Sequence, residues 1–240
     1  MRFKSMISTA LERISRRLGL TVSIGLVAGL LVSAGVIALF AEITEGVVEG
    51  ESRRFDRAVL LWINANFPDW LDAPMRFVTA LGYYWVVLPM LAVAMIVFYL
   101  KGWKLSAALL FVSTAGGMVL TTVLKSVFRR ARPELFDSDY TASFYSFPSG
   151  HATIAVGFYG MLTVILVYQI QSPLRWIVAV GGGVLVLLIG FSRLYLGVHY
   201  PTDVLAGFLA APLWVVTVGA AYFLWISVRR LAPRRRRKNA

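Results

Sequence analysis

Six stretches of this chain carry no charged side chain for 17 to 25 residues each: 18–41, 77–100, 105–124, 152–169, 176–192 and 204–228. A helix needs about 20 apolar residues, within a range of about 17–25, to cross the hydrocarbon of a bilayer. In lipid the backbone has no water to bond to, so a spanning segment must satisfy its own N–H and C=O groups. The period-2 alternation of a membrane barrel is absent. The expected fold class is therefore all-α: a polytopic membrane protein with six transmembrane helices in one bundle. Composition agrees, with 58% hydrophobic and only 15% charged residues, against about 25% charged in ordinary soluble domains.

The first run is longer than the apolar core of a signal peptide, typically 7–15 residues, and reads as a retained helix. The chain is treated as one membrane domain over 1–240. It has a basic N-terminal segment at 1–19, an outward loop at 42–76, a core of chemistry-bearing motifs at 125–203, and a basic tail at 229–240. The net charge of +12 sits at the ends of the apolar runs, which points to lipid headgroups rather than nucleic acid. With six crossings, both termini share a side. That side holds 15 of the 24 Lys and Arg residues and one of the 12 acidic ones. The positive-inside bias then places the termini in the cytoplasm. The loops after the first, third and fifth helices face outward. Arg129 and Arg130, at the end of the third run, read as topology anchors.

The outward ends hold the polar residues that matter. Lys125 closes the third helix, His151 opens the fourth, Arg193 closes the fifth, and His199 and Asp203 open the sixth. Both histidines of the chain fall on this one face, and there are no cysteines. Lys125, Arg132 and Arg193 provide three cations. Ser149 is expected to cap the fourth helix, and free N–H groups at a helix start bind phosphate-like anions. Gly150 permits close approach of the backbone. Arginine matches two phosphate oxygens with its planar fork, while lysine acts as a point charge. Pro201 suits a first helical turn. Asp203, four residues after His199, is then placed to bond one imidazole nitrogen and leave the other free to attack. His151 is the candidate acid for the leaving oxygen. The glycines 116, 117 and 181–183 are read as helix-packing positions.

Three motifs run in order: Lys125, six residues, Arg132-Pro133; Pro148-Ser149-Gly150-His151; and Ser192-Arg193, five residues, His199, three residues, Asp203. Together they resemble the three-part signature of the type-2 phosphatidic acid phosphatase superfamily. That superfamily includes bacterial undecaprenyl-pyrophosphate and phosphatidylglycerophosphate phosphatases. The resemblance covers about a third of the chain. It implies a membrane lipid phosphatase that hydrolyses a phosphate monoester or pyrophosphate through a phosphohistidine. His199 would be the nucleophile, Asp203 its orienter and His151 the general acid. Lys125, Arg132, Ser149, Gly150 and Arg193 would hold the phosphoryl oxygens, with Ser192 in support. No metal and no other cofactor is implied.

The expected partners are a lipid phosphate or pyrophosphate and the surrounding membrane lipids, not nucleic acid. The compact size suggests a bacterial cytoplasmic membrane, with the site on the periplasmic or extracellular side. The loop at 43–77 carries Phe55, Trp62, Phe67 and Trp70 among charges and is expected to form interfacial helices that shape lipid access. Six spans argue against a soluble haloperoxidase. An anion-binding or transport protein without hydrolysis is the alternative. It is disfavoured because no Lys, Arg, Asp or Glu lies in the central part of any span, and Pro89 is the one clear interruption.

Overall fold

The structure is a computed structural model, and it describes residues 29–135, 140 and 142–215. By compactness the chain divides into two units, Met1–Leu39 and Phe40–Ala240. Among the described residues every regular element is helical. Helix α1 is Gly29–Val48. Helix α2 is Arg53–Asn66, and a 3-10 turn at Asp69–Leu71 leads into α3, Asp72–Ala80. Then come α4, Tyr84–Leu100, and α5, Lys104–Phe128. Helix α6 is Gly150–Gln169, α7 is Leu174–Tyr195, and α8 is Pro201–Val215.

Four of these helices are long and apolar enough to cross a membrane, and a fifth if the bent pair α3–α4 counts as one span. Their outer surfaces are apolar and uncovered: Leu100, Leu105, Trp85 and Ile177 are each at least 70% exposed. Such a surface is stable only against lipid. The expected helix over 18–41 overlaps α1, with residues 1–28 outside the described part. The sixth run starts as expected at α8, and 216–228 lie outside the described part, as do the basic segments 1–19 and 229–240.

The second run departs from expectation. It is not one continuous helix: α3 ends at Ala80, α4 begins at Tyr84, and the two are bent by 47°. Pro89 is not the cause, because it sits inside an unbroken α4. The break lies at Gly82-Tyr83. A Cβ on Gly82 would stand 2.6 Å from the His151 ring, so the backbone here passes directly over an imidazole. Tyr83 turns to extended backbone and receives the first bonds of α4, from Val86 and Val87. The segment 42–76 begins with the end of α1 and holds α2 and the first half of α3.

Packing between helices centres on α5, α6 and α7. Val87, Leu91, Phe98, Leu110, Phe158 and Ile189 form the buried apolar core. Within α6 the stretch Ala155–Gly160 widens to a π-helix. Thr114 of α5 donates to the Gly157 carbonyl at 3.1 Å, and Tyr159 donates to the Leu81 carbonyl at 2.9 Å. The widened turn therefore fastens α6 to α5 on one side and to the α3–α4 junction on the other. The glycine expectation holds in part: a side chain on Gly182 would collide with Thr163 and one on Gly116 with Trp214, but Gly181 and Gly183 face open space.

The tightest approach to another stretch of backbone is at Gly207 of α8, where a Cβ would lie 2.5 Å from the Ser149 carbonyl oxygen and 2.8 Å from Ala152 Cβ. Overpacking a core costs about 1–3 kcal/mol. Gly207→Val is expected to lower the melting temperature of the detergent-solubilised protein by several degrees, while Gly181→Val leaves it unchanged. Equal melting of both variants would contradict this packing.

Candidate active site

The site is assembled from helix ends, and local backbone rules set each one. Helix α7 stops at a left-handed Gly197 (φ 68°), whose N–H bonds back to Leu194 while Val198 N–H bonds back to Arg193. This glycine-dependent C-terminal turn reverses the chain and presents His199. Tyr200 then caps α8, and Asp203, three residues on, accepts the Tyr200 N–H at 2.9 Å. That is one half of a capping box, with an acidic side chain at the positive end of the helix.

His199 and Asp203 are both buried, at 2% and 0% exposure. Asp203 Oδ2 is 3.4 Å from His199 Nδ1 and accepts the Ser146 hydroxyl at 2.5 Å. Ser146 Oγ is also 3.3 Å from Nδ1. On the other side of the ring, Arg132 Nη1 approaches Nε2 at 3.3 Å. A guanidinium only donates, so Nε2 must carry the lone pair and Nδ1 the proton. The expected orientation of the pair is present, with Nε2 turned toward the cations.

A cavity of about 210 Å³ borders His199. Lys125, Arg132, Gly150, His151, Arg193 and His199 line it, together with Tyr83, Ala142 and Ser143. Six of the eight expected residues thus surround one hollow, although they come from three helices and two loops. Asp203 stands behind His199. Ser149 is buried beneath the start of α6, and here the structure corrects the sequence reading. Its hydroxyl makes no capping bond and has no partner, and its own N–H is taken by the Asp203 carbonyl at 2.9 Å. The unused N–H groups of the first turn belong to the residues that follow it.

Backbone carbonyls hold the cations in place. Lys125 Nζ donates to the Tyr145 and Ser146 carbonyls at 2.5 and 3.1 Å. Arg132 donates to the carbonyls of Ser143, Phe144 and Val198 at 2.9, 2.8 and 2.7 Å. Arg193 is 2% exposed; its Nη1 donates to Thr79 at 2.5 Å and to the Tyr140 hydroxyl at 3.2 Å. The Arg193 Nε and His151 Nε2 atoms are buried without a partner. Buried polar groups are rarely left unpaired, so these two atoms keep spare bonding capacity at residues that line the cavity. Tyr83 packs its ring edge-to-face on His151, centroids 4.7 Å apart, and its hydroxyl meets that of Tyr140.

Several participants were not legible in the sequence: Tyr83, Thr79, Tyr140, Ser146 and, most of all, Arg130 and Asp56. Arg130 is not a topology anchor. It bridges two buried carboxylates, those of Asp203 (2.6 Å) and Asp56 (2.7 Å). Burial opposes its charge, but the two carboxylates outweigh that and hold its pKa above the ordinary guanidinium value. Arg129 remains exposed at the left-handed C-cap of α5.

The sequence profile of the PAP2 superfamily matches residues 106–234. The chain belongs to that superfamily. It is 38% identical over 143 residues to phosphatidylglycerophosphatase B of Bacillus subtilis, covering 58% of this chain and 69% of the relative. It is 33% identical over 152 residues to an undecaprenyl-diphosphatase of Sulfolobus acidocaldarius, covering 61% and 68%. The crystal structure of a transmembrane PAP2-type phosphatidylglycerolphosphate phosphatase from Bacillus subtilis superposes with a TM-score of 0.71 at 26% identity. It covers 85% of this chain and 98% of that one. This PAP2 protein is thus a membrane protein of a lipid-phosphatase family.

Burial, joined by the cations Arg193 and Lys125 and only partly opposed by Asp203, pushes the His199 pKa down to about 3. In the unfolded chain it returns to about 6.5. Between these values the unfolded state binds a proton that the folded state does not, so stability falls as the pH drops through this window. The slope for one such proton is at most about 1.4 kcal/mol per pH unit. Thermal unfolding of the wild type is expected to weaken more between pH 6.5 and pH 4 than that of His199→Gln. Parallel curves would refute a buried neutral imidazole.

Proposed function

We propose that this PAP2 protein hydrolyses a phosphate monoester or pyrophosphate on a membrane lipid by way of a phosphohistidine at His199. The observation that carries this reading is the small cavity in which an imidazole lone pair faces three cations beside unpartnered buried N atoms. Phosphoryl transfer depends chiefly on positioning and on stabilising spread negative charge. Lys125, Arg132 and Arg193, with the N–H groups at the start of α6, supply that stabilisation. Single donors of this kind are worth about 2.7–4 kcal/mol of barrier in other enzymes.

In the first step His199 Nε2 forms a bond to phosphorus as the bond to the leaving oxygen breaks. Protonated His151 gives its proton to that oxygen, and Asp203 balances the charge that develops on the His199 ring. A bound phosphate beside His151 favours the charged ring. Water then attacks the phosphohistidine, His151 takes back a proton, and inorganic phosphate leaves. Every role in this scheme is filled by the chain's own side chains, which makes the reaction independent of added metal. Ser149 and Gly150 complete the phosphate cradle.

Six spans, with both termini in the cytoplasm, put the cavity at the outer face of a bacterial cytoplasmic membrane, as the Lys and Arg distribution favours. There a substrate keeps its tail in the bilayer and offers only its headgroup. The helices α2 and α3 border the approach. The named relatives act on phosphatidylglycerophosphate and undecaprenyl diphosphate, which makes those lipids and phosphatidate the substrates to test.

Purified protein in detergent with EDTA is expected to release phosphate from at least one lipid of that panel. Removal of a covalent nucleophile costs on the order of 10⁶-fold elsewhere, so His199→Ala is expected to abolish turnover and keep its melting transition. His151→Ala is expected to lose about 10²–10⁴-fold, least on the pyrophosphate, whose leaving group needs its proton least. Orthovanadate, a mimic of pentacoordinate phosphorus, is expected to inhibit. Wild-type turnover in His199→Ala would reject the scheme.

A further inference from the structure

We propose that Arg130 is a positioning residue for His199, acting through Asp203, and that Asp56 on α2 fixes Arg130 for this task. The inference rests on His199 being the nucleophile. The geometry divides the Asp203 carboxylate cleanly. Oδ1 accepts Arg130 Nη1 at 2.6 Å, which leaves Oδ2 to the Ser146 hydroxyl, the Tyr200 N–H and the His199 ring. A carboxylate with one free oxygen can rotate about its Cβ–Cγ bond; one held on both sides cannot. Arg130 also lies over the Tyr200 ring, with its guanidinium carbon 4.3 Å from the centroid. It therefore steadies the two residues that flank the nucleophile's turn.

Asp56 closes the device from the other end. It is fully buried and accepts Arg130 Nη2 at 2.7 Å. It also accepts the Thr202 N–H at 3.1 Å and the Thr202 hydroxyl at 2.8 Å. The Thr202 N–H is one of the orphan donors at the start of α8. Asp56 thus caps the same helix turn that carries Asp203, and Arg130 bridges the two carboxylates. Asp56 lies outside the stretch that the superfamily profile matches, residues 106–234. The outward segment is tied to the nucleophile by this contact.

A purely structural role explains the bridge poorly. Three charges taken from water gain little stability over apolar residues of similar size. What they provide here is a fixed direction for Oδ2. Small displacements of a reacting group cost rate rather than binding.

The test compares Arg130→Gln, Arg130→Lys, Asp56→Asn and Asp203→Asn, and the double variant Arg130→Gln/Asp203→Asn, on the best lipid phosphate of the panel above. Melting in detergent accompanies each assay. Misplacement by about 1 Å costs on the order of 100-fold, so Arg130→Gln is expected to lose about that in kcat with KM little changed. Arg130→Lys is expected to recover part of the loss. In the Asp203→Asn background the Arg130→Gln change is expected to cost less than about threefold, because the two act as one unit.

A kcat near that of the wild type in Arg130→Gln would overturn the proposal. So would an equal loss with and without Asp203. If Arg130→Gln does not melt cooperatively, Arg130→Lys and Asp56→Asn decide. Lowered kcat in both with melting intact supports the bridge, and unchanged kcat in both refutes it. An inactive His199→Ala beside an unaffected Arg130→Gln defeats the bridge alone. Turnover retained in His199→Ala defeats the nucleophile as well.

Discussion

A carboxylate that no solvent reaches must find its hydrogen-bond donors within the protein, and Asp203 is such a group. An uncompensated buried charge is expensive enough to neutralise itself. Asp203 avoids this by collecting the Arg130 guanidinium, the Ser146 hydroxyl, the Tyr200 N–H and the His199 ring. These donors come from three different stretches of the chain. Satisfying this one anion therefore draws the end of α5, the loop before α6 and the start of α8 to a single point. The cavity forms where they meet.

The rest of the scaffold serves that meeting. Lipid-facing helices cannot bend freely, because each backbone group must remain bonded. The irregular pieces are instead placed among other helices. The break at Gly82-Tyr83 lets backbone cover His151, and the π-turn in α6 reaches both α5 and the break. Gly197 makes the sharp exit from α7. A rigid bundle with a few local irregularities holds the imidazoles and the cations in register without using long flexible loops.

The sequence made much of this legible, for identifiable reasons. Long uncharged runs have one structural solution in lipid, so the helices at α5, α6 and α7 match expectation closely. Lys125, His151, Arg193 and His199 were placed together by topology alone, since each marks a helix end on the same face. What the sequence left hidden depends on contacts across distant segments. The break in 77–100 arises from an imidazole 69 positions beyond Gly82, and no local pattern announces it. Ser149 looks like a helix cap by residue type, yet its hydroxyl is left over for other use. Arg130 looked like a surface anchor because its partners, Asp56 and Asp203, stand 74 and 73 residues away.

Rapid-quench trapping with radiolabelled substrate reveals whether the phosphoryl group rests on His199 during turnover. Phosphohistidine survives alkali and is lost in acid, so an alkaline quench followed by peptide mapping locates any phosphoryl group on the enzyme. Label is expected on the peptide that contains His199, formed before phosphate is released and absent from His199→Ala. Label on the His151 peptide would contradict this expectation, as would a full turnover with no enzyme-bound phosphoryl group at any time.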